Sequence, residues 1–424
     1  MKRKFTSYLL PDFDQFKNQL LNFGRRFGNF CLLDNHHYDF DKSFECIAGF
    51  GKIKEFTTTP ENNFRKIDEF KNANHDWIFG HVSYDLKNEI ENIVSENADH
   101  VGFPDFYFFV PEIVFILSRE KVDIGMVGNG NSNDLFEKII LINPKEKNFP
   151  KPDLKSRFSK HEYLETVQKL QQHILKGDCY EICFCHEFFA ENIEIDPFIV
   201  FHKLSTISPN PFSAFYRTGD KFLMCASPER FLKKTDSTII SQPIKGTSKR
   251  SAHSDATEKR SLKNNDKERA ENIIIVDLVR NDLSKICEEG SVHVKEFLEI
   301  YSFPQVHQMI STIEGTLTKN TSLGDIFYAT FPMGSMTGAP KRRVLKLLEK
   351  YEKTKRGLFS GTVGYISPQG DFDFNVVIRS ILYDAEKRYL SIPAGSAITW
   401  KSDAEKEFEE CLIKIEGMKK ALEL

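Results

Sequence analysis

The chain has 424 residues, 40% apolar and 28% charged, which gives a globular protein enough material for a sizeable core. Its formal net charge of -3 argues against a nucleic-acid or anionic-membrane binder, which is usually basic. Eight cysteines without repeated spacing, and a start at Met1 to Asp12 with no apolar signal segment, lead us to expect reduced thiols and a cytoplasmic protein.

In chain order, short strand-like runs come first: Cys31–Leu33, Trp77–Gly80, Tyr107–Leu117 and Lys138–Ile142. The glycine-rich stretch 125–134 reads as a turn or hairpin loop. It lacks the spacing and the following helix of a dinucleotide site. A charged, proline-bearing seam from Asn143 to Ser159 divides the chain near 150, into a region 1–150 that packs on a core of 151–424. Beyond it, apolar spacing predicts a helix over Lys160–Leu175, then a strand over Cys179–Phe189 and a helix over Pro197–Ser205. Hairpin-like runs follow at Phe212–Tyr216 and Phe222–Ala226. Asp266–Ile286 reads as a long helix, apolar nearly all round its middle and therefore buried. A helix is expected over Pro340–Tyr351, strands at Gly361–Ile366, Phe374–Leu382 and Arg388–Pro393, and an amphipathic helix over Ser402–Ala421. Interleaved strands, hairpins and helices predict a mixed α/β (α+β) fold with largely antiparallel sheets.

Several groupings have chemical potential. Glu268 and Glu271 stand three apart on one predicted helix, Glu407 and Glu410 on another, so each pair shares a helical face. If the helices meet, four carboxylates converge and need a cation, Mg²⁺ being the one that prefers hard oxygen ligands. The spacing alone favours two ordinary solvated pairs. Lys245, between Ile244 and Gly246, stands at a strand end. Partial burial would lower its pKa and expose a nucleophilic amine, whereas a solvated turn lysine would do nothing. The small-residue loop with Gly334, Ser335, Thr337 and Gly338 precedes a helix; it suits an anion or simply caps that helix. Arg379, a charge inside a strand-like run, calls for a carboxylate of the protein or of a ligand. His307 and Glu229 alone read as a packed histidine and a turn residue. Cys179, Cys183 and Cys185 with His186 fit alternation along a strand better than a zinc site.

In order, "GDCYEICFCHEF", "SPERFL", "PIKGT", "DKERAENIIIVDLVRNDLSKIC", "VHQMISTIEGTL", "FPMGSMTGAPKRRVLKLLE", "RGLFSGTVGYISPQGDFDFNVVIRS" and "EKEFEECLIKI" resemble the chorismate-utilising enzyme family. The resemblance is strong over roughly 160–420 and loose before, where "LLDN" (32–35) echoes the family's "LLES". It implies a two-layer sandwich of antiparallel sheets flanked by helices, with 151–424 as the catalytic core. It implies that Glu271 and Glu410 ligate Mg²⁺, with Glu268 and Glu407 reaching it through water, and that the ion holds the C1 carboxylate of chorismate. Arg379 would grip the enolpyruvyl carboxylate. Gly246, Thr247, His307, Ser335, Thr337 and Gly395 would line the ring pocket.

The branch implied is the one that replaces the 4-hydroxyl of chorismate with an amino group. Anthranilate synthases carry Ala at the position of Lys245. Isochorismate and salicylate synthases place a base lysine where this chain has Glu181. In the aminating branch the lysine attacks C2, a carboxylic acid matching Glu229 protonates the departing 4-hydroxyl, and ammonia displaces the lysine. No glutaminase nucleophile motif surrounds any cysteine, so a separate glutamine amidotransferase partner is implied. The alternatives are an anthranilate synthase component or a non-catalytic chorismate-binding subunit. Phe359, where the family has Tyr, and Ala397, where it has Gly, are departures that bear on substrate contacts.

Overall fold

The computed structural model describes residues 3–39, 41–59, 62–128, 130–144, 149–250, 254–303 and 306–423. Met1 and Lys2, Asn129 of the glycine-rich stretch and 145–148 of the seam lie outside the described residues. Two sheets, 12-stranded and 10-stranded, carry the fold, and their strand pairs are antiparallel throughout. The larger runs from Arg3–Leu9 at one edge, through Asn29–Asp34, Phe212–Thr218, Lys221–Ser227, Ser380–Asp384 and Tyr389–Thr399, to Glu181–Ala190 and the short Gly338–Ala339 at the other. The smaller includes Ile244–Lys249, Val306–Thr316, Thr238–Gln242, Arg230–Thr235, Phe372–Asn375, Thr362–Ile366 and Ile78–Val82. Strands from before and after residue 150 share both sheets. Among the described residues no helix is long and apolar enough to cross a membrane.

Two cores follow from strand alternation. Between the sheets, Cys31, Tyr216 and Leu223 of one meet Ile78, Phe108 and Phe374 of the other. On the outer face of the larger sheet, Phe30, Ile182, Phe184 and Phe215 pack under the helices Phe13–Phe23, Lys160–Leu175, Pro197–Ile207 and Ala404–Ala421. In Glu181–Ala190, Ile182 and Phe184 therefore face the helices, and Cys183 and Cys185 face the second sheet. That alternation is the one expected for the cysteines. Lys160–Leu175 starts with a capping box, in which Ser159 accepts from the Glu162 N–H and Glu162 accepts in return.

Four expectations change. Lys138–Ile142 is not a strand: a helix, Ser132–Ile140, occupies most of it, capped by Asn131. The glycine-rich stretch is thus followed by a helix, although its spacing still differs from a dinucleotide loop. The run Tyr107–Leu117 breaks at Pro111 into two paired strands, Phe106–Val110 and Ile113–Leu117. Asp266–Ser284 is buried on one face only, through Glu271, Ile275, Val276 and Val279, while Ile273 is 40% exposed. Phe374–Leu382 is two strands, one in each sheet, and Arg379 lies in the irregular link between them at φ +52°.

One buried ion pair ties the larger sheet to the small-residue loop. Arg356 contacts Glu352 at 2.6 and 3.0 Å and donates to the carbonyls of Met336 (2.7 Å) and Cys183 (2.7 Å). Its guanidinium also lies over Tyr84 at 4.3 Å. Arg356→Met leaves Glu352 charged and buried without its partner. We expect a loss of about 3–5 kcal/mol of stability, measured by denaturant unfolding.

Candidate active site

Two of the places where the chain passes from one sheet to the other lie together. Ser227 ends a strand of the larger sheet and Arg230 begins one of the smaller, with Pro228 and Glu229 between them. Val376–Arg379 makes the return. The Val376 N–H donates to the Glu229 carbonyl at 3.0 Å, and the Ala226 N–H to the Arg379 carbonyl at 3.0 Å. Two motifs 150 residues apart thereby form one corner. Beside it opens a cleft of about 450 Å³ whose walls include Pro228, Thr247, Gln308 and Arg379.

Lys245 reaches this corner through an irregularity. Its strand pairs Ile244 with Ile310 and then Thr247 with Gln308, and the register shift falls on Lys245 and Gly246. Gly246 holds φ +88°, which glycine adopts without strain. A shift of this kind re-aims side chains, and Lys245 points between the sheets. Its Nζ sits 2.8 Å from Glu181 Oε1, with only 10% of the side chain exposed.

The lysine is buried, but its charge goes the other way from the expectation. Burial does work to lower its pKa, yet Glu181 and then Glu271 more than offset this and hold the ammonium above the ordinary lysine range. Glu229 behaves as a buried acid. Burial pushes it up to about 7, against the pull of a hydrogen bond with Ser335 and of Lys245.

The glutamate-bearing helices do face one another. Lys267, at the start of Asp266–Ser284, lies 2.8 Å from Glu407 on Ala404–Ala421 and 3.6 Å from Glu271 on its own helix. Lys414 holds Glu410 at 2.5 Å. Burial pushes Glu271 up to about 8, opposed by Lys245 and reinforced by Glu181. Burial also pushes Glu268 up. Burial works against the charge of Glu410 too, but Lys414 and Lys267 hold it below the usual carboxylate range. The sequence reading missed both lysines, although each stands four residues from the glutamate it pairs with on its own helix.

Among the described residues, no three His, Cys, Asp or Glu side chains are gathered to hold a metal ion by themselves. Lysines supply the counter-charge. Even so, Glu271 Oε1 and Glu407 Oε2 are buried without a hydrogen-bond partner. Orphaned carboxylate oxygens on two facing helices are hard donors that fit a divalent cation of the Mg²⁺ kind once Lys267 yields.

The remaining candidates fall on several walls. His307 is fully buried, its Nδ1 2.9 Å from Ser302 Oγ and its Nε2 3.1 Å from Asp255. Ser335 is buried beside Glu229, whereas the Thr337 hydroxyl is taken by the carbonyls of Met333 (3.1 Å) and Gly334 (3.2 Å). Thr337 instead serves through its carbonyl, which accepts from the Cys183 N–H at 2.7 Å. Arg379 is half-buried on the cleft wall, and burial lowers its pKa with Glu410 in opposition. Gly395 lies opposite Cys185, where an added Cβ would fall 2.3 Å from the sulfur. Ala397 lies opposite Cys183. Phe359 lines a different cavity, with Cys185 and Arg356, so the hydroxyl it lacks is missing there and not from the cleft beside Arg379.

The model of chorismate binding enzymes matches residues 29–420. The chain belongs to this family. An aminodeoxychorismate synthase of Arabidopsis thaliana is 35% identical over 361 residues, covering 79% of this chain and 39% of the relative. Aminodeoxychorismate synthase component 1 of Bacillus subtilis (strain 168) is 30% identical over 362 residues, covering 81% and 76%. The chain spans about two fifths of the length of the plant relatives it matches. The crystal structure of anthranilate synthase component I from Streptococcus pneumoniae TIGR4 superimposes with a TM-score of 0.79 at 25% identity, covering 90% of this chain and 94% of that one. Such a likeness supports the two-layer antiparallel architecture the motifs led us to expect.

Proposed function

We propose that this member of the family aminates chorismate at C4, as the chorismate-binding component of an aminodeoxychorismate synthase. The observation that carries the proposal is the placement of Lys245 between the sheets, next to the raised carboxyl of Glu229. A lysine and a raised carboxylic acid in one buried corner suit a displacement at C2 coupled to loss of the 4-hydroxyl, once the lysine has given up its proton. Arg379 and Thr247, which line the cleft, would take a carboxylate and a ring hydroxyl of the substrate. His307, Gly246, Ser335, Thr337 and Gly395 complete the set we assign to positioning.

Glu271 and Glu407, with their orphaned oxygens, and Glu268 and Glu410 beside them, would hold Mg²⁺. That ion would supply positive charge for a substrate carboxylate. The protein's own groups do the rest: Lys245 provides the nucleophilic nitrogen, Glu229 the proton for the leaving oxygen, and the apolar layer between the sheets excludes water.

The test is to incubate the purified chain with chorismate, an ammonium salt and Mg²⁺ and to determine product mass. The expected product is 4-amino-4-deoxychorismate, and chelating the metal stops its formation. Fluorescent anthranilate appearing without an added lyase would replace this reading with the anthranilate synthase one. Untouched chorismate would leave only a binding subunit. Glutamine is expected to support turnover only after a glutamine amidotransferase partner is added, since ammonia is the species that bonds to C4. All eight cysteines are free and buried, in keeping with work in a reducing compartment such as the cytoplasm.

A further inference from the structure

We infer that Glu181 is the base that takes the proton from Lys245 and so arms it for attack. This rests on the reading that Lys245 bonds to C2 of chorismate. As an ammonium, Lys245 has no lone pair and cannot attack, so some group beside it must accept a proton. Glu181 is fully buried, and its Oε1 lies 2.8 Å from the lysine nitrogen. It is the carboxylate in direct hydrogen-bond contact with that nitrogen.

Its other oxygen, Oε2, is buried with no hydrogen-bond partner. One oxygen is thus engaged by the lysine while the other is left open, so the carboxylate has room for the transferred proton. The backbone fixes the geometry. Glu181 is paired with Thr399 on one side and Ala339 on the other, so the carboxylate is carried by the interior of a sheet.

The other charged groups around Lys245 are less well placed. Glu268 and Glu271 approach from the Asp266–Ser284 helix, Glu410 from the Ala404–Ala421 helix, and Glu229 from the crossing, each acting through its field. Three of them belong to the cluster assigned to the metal, and Glu229 must itself arrive protonated. Cys183, on the same strand as Glu181, also influences the lysine through its charge.

The proton count closes. The Lys245 ammonium passes one proton to the Glu181 carboxylate, leaving an amine and a carboxylic acid. The amine nitrogen bonds to C2, both ring double bonds shift (to C1=C6 and C4=C5), the C4–O bond breaks, and the Glu229 proton leaves with the hydroxyl as water. Ammonia then bonds to C4, the C2–N bond breaks, and Lys245 departs as a neutral amine. The new ammonium gives a proton to Glu229, and Glu181 returns its proton to Lys245. The sum is chorismate plus ammonia to the 4-amino product plus water. Substrate seated over the corner excludes water, which weakens the separated charges of the Lys245–Glu181 pair relative to the neutral pair.

The experiment uses the full chain with chorismate, ammonium chloride and Mg²⁺, and follows the covalent adduct on Lys245 by intact-protein mass in single turnovers from pH 6 to 9. In the wild type the proton moves within the pair, so adduct formation carries no rising limb from lysine ionisation. In Glu181→Gln the lysine must lose its proton to solvent. We expect adduct formation about 100-fold slower at pH 6.5, a gap that narrows as pH rises, and chorismate affinity within about threefold of wild type. Glu181→Asp keeps a carboxylate and a partner for the lysine, so its profile also lacks the rising limb, with a smaller loss. A Glu181→Gln profile parallel to wild type, whether equally fast or uniformly slower, overturns the inference. So does a Glu181→Asp variant that folds yet shows the rising limb of an unassisted lysine. Absence of any adduct in the wild type would instead refute the role of Lys245, a separate outcome.

Discussion

Lys245→Ala is expected to reduce formation of the aminated product by about 10³-fold or more, on the scale of deleting a covalent nucleophile. Among the described residues Lys245 is the lysine in contact with Glu181, so the variant leaves no amine in that place. The variant raises a second issue. Removing the lysine leaves the Glu181 charge buried and unpaired, which costs about 3–5 kcal/mol where one partner of a buried pair is deleted. Lost activity in the single variant could therefore reflect lost folding. A double variant, Lys245→Met with Glu181→Gln, removes both charges and keeps the volume. It is expected to recover the unfolding midpoint of the wild type and to remain inactive. Product mass in a chorismate and ammonium assay, read beside a melting curve, separates the two effects. Turnover above a tenth of wild type in the well-folded double variant would remove Lys245 from the mechanism.

Much of this site was legible because its residues sit in motifs with local chemistry. The three-residue spacing in each glutamate pair put two carboxylates on one helical face, and helix geometry alone carries that prediction into three dimensions. Strand alternation similarly separated Cys183 and Cys185 from Ile182 and Phe184. What periodicity did not carry was every feature made by an irregular backbone. The register shift at Lys245 and Gly246, and the φ of +52° at Arg379, break the two-residue period, so a strand-like run was read through a point where the chain leaves one sheet for the other. The helix at Ser132–Ile140 was lost for a different reason: it is short, and its last turn with the Leu141 and Ile142 that follow makes an apolar run that reads like a strand. The sign of the Lys245 shift also lay beyond the local sequence. Burial was inferable from Ile244 and Gly246, but the opposing charge of Glu181 comes from 64 residues away, across the gap between two sheets.

Glu229→Gln is expected to lower turnover by about 10²–10⁴-fold and to abolish one limb of the pH profile. Glutamine matches the volume and can still bond to Ser335, but it has no acidic proton to give the departing hydroxyl. The direction of the pH effect follows from the raised carboxyl. Burial pushes Glu229 up to about 7, so the competent acid predominates below that value, and turnover falls as pH rises through it. Glu271, pushed up to about 8 by burial, titrates nearby in the metal-free protein. Saturating Mg²⁺, if it binds there, keeps that carboxylate ionised and leaves the Glu229 limb alone on the profile. Stability moves in the same direction. A group whose folded pKa is raised contributes stability below its unfolded value, near 4.5, and loses that contribution as pH rises through about 7. Wild type should therefore lose this part of its stability between about pH 4.5 and 7, and its activity as pH rises past about 7. Glu229→Gln, lacking the ionisable group, should be slow at every pH while gaining stability relative to wild type at pH 8. A variant whose activity still declines through pH 7 with the wild-type slope would show that another group supplies the proton, and the pairing of a lysine nucleophile with this acid would have to be abandoned.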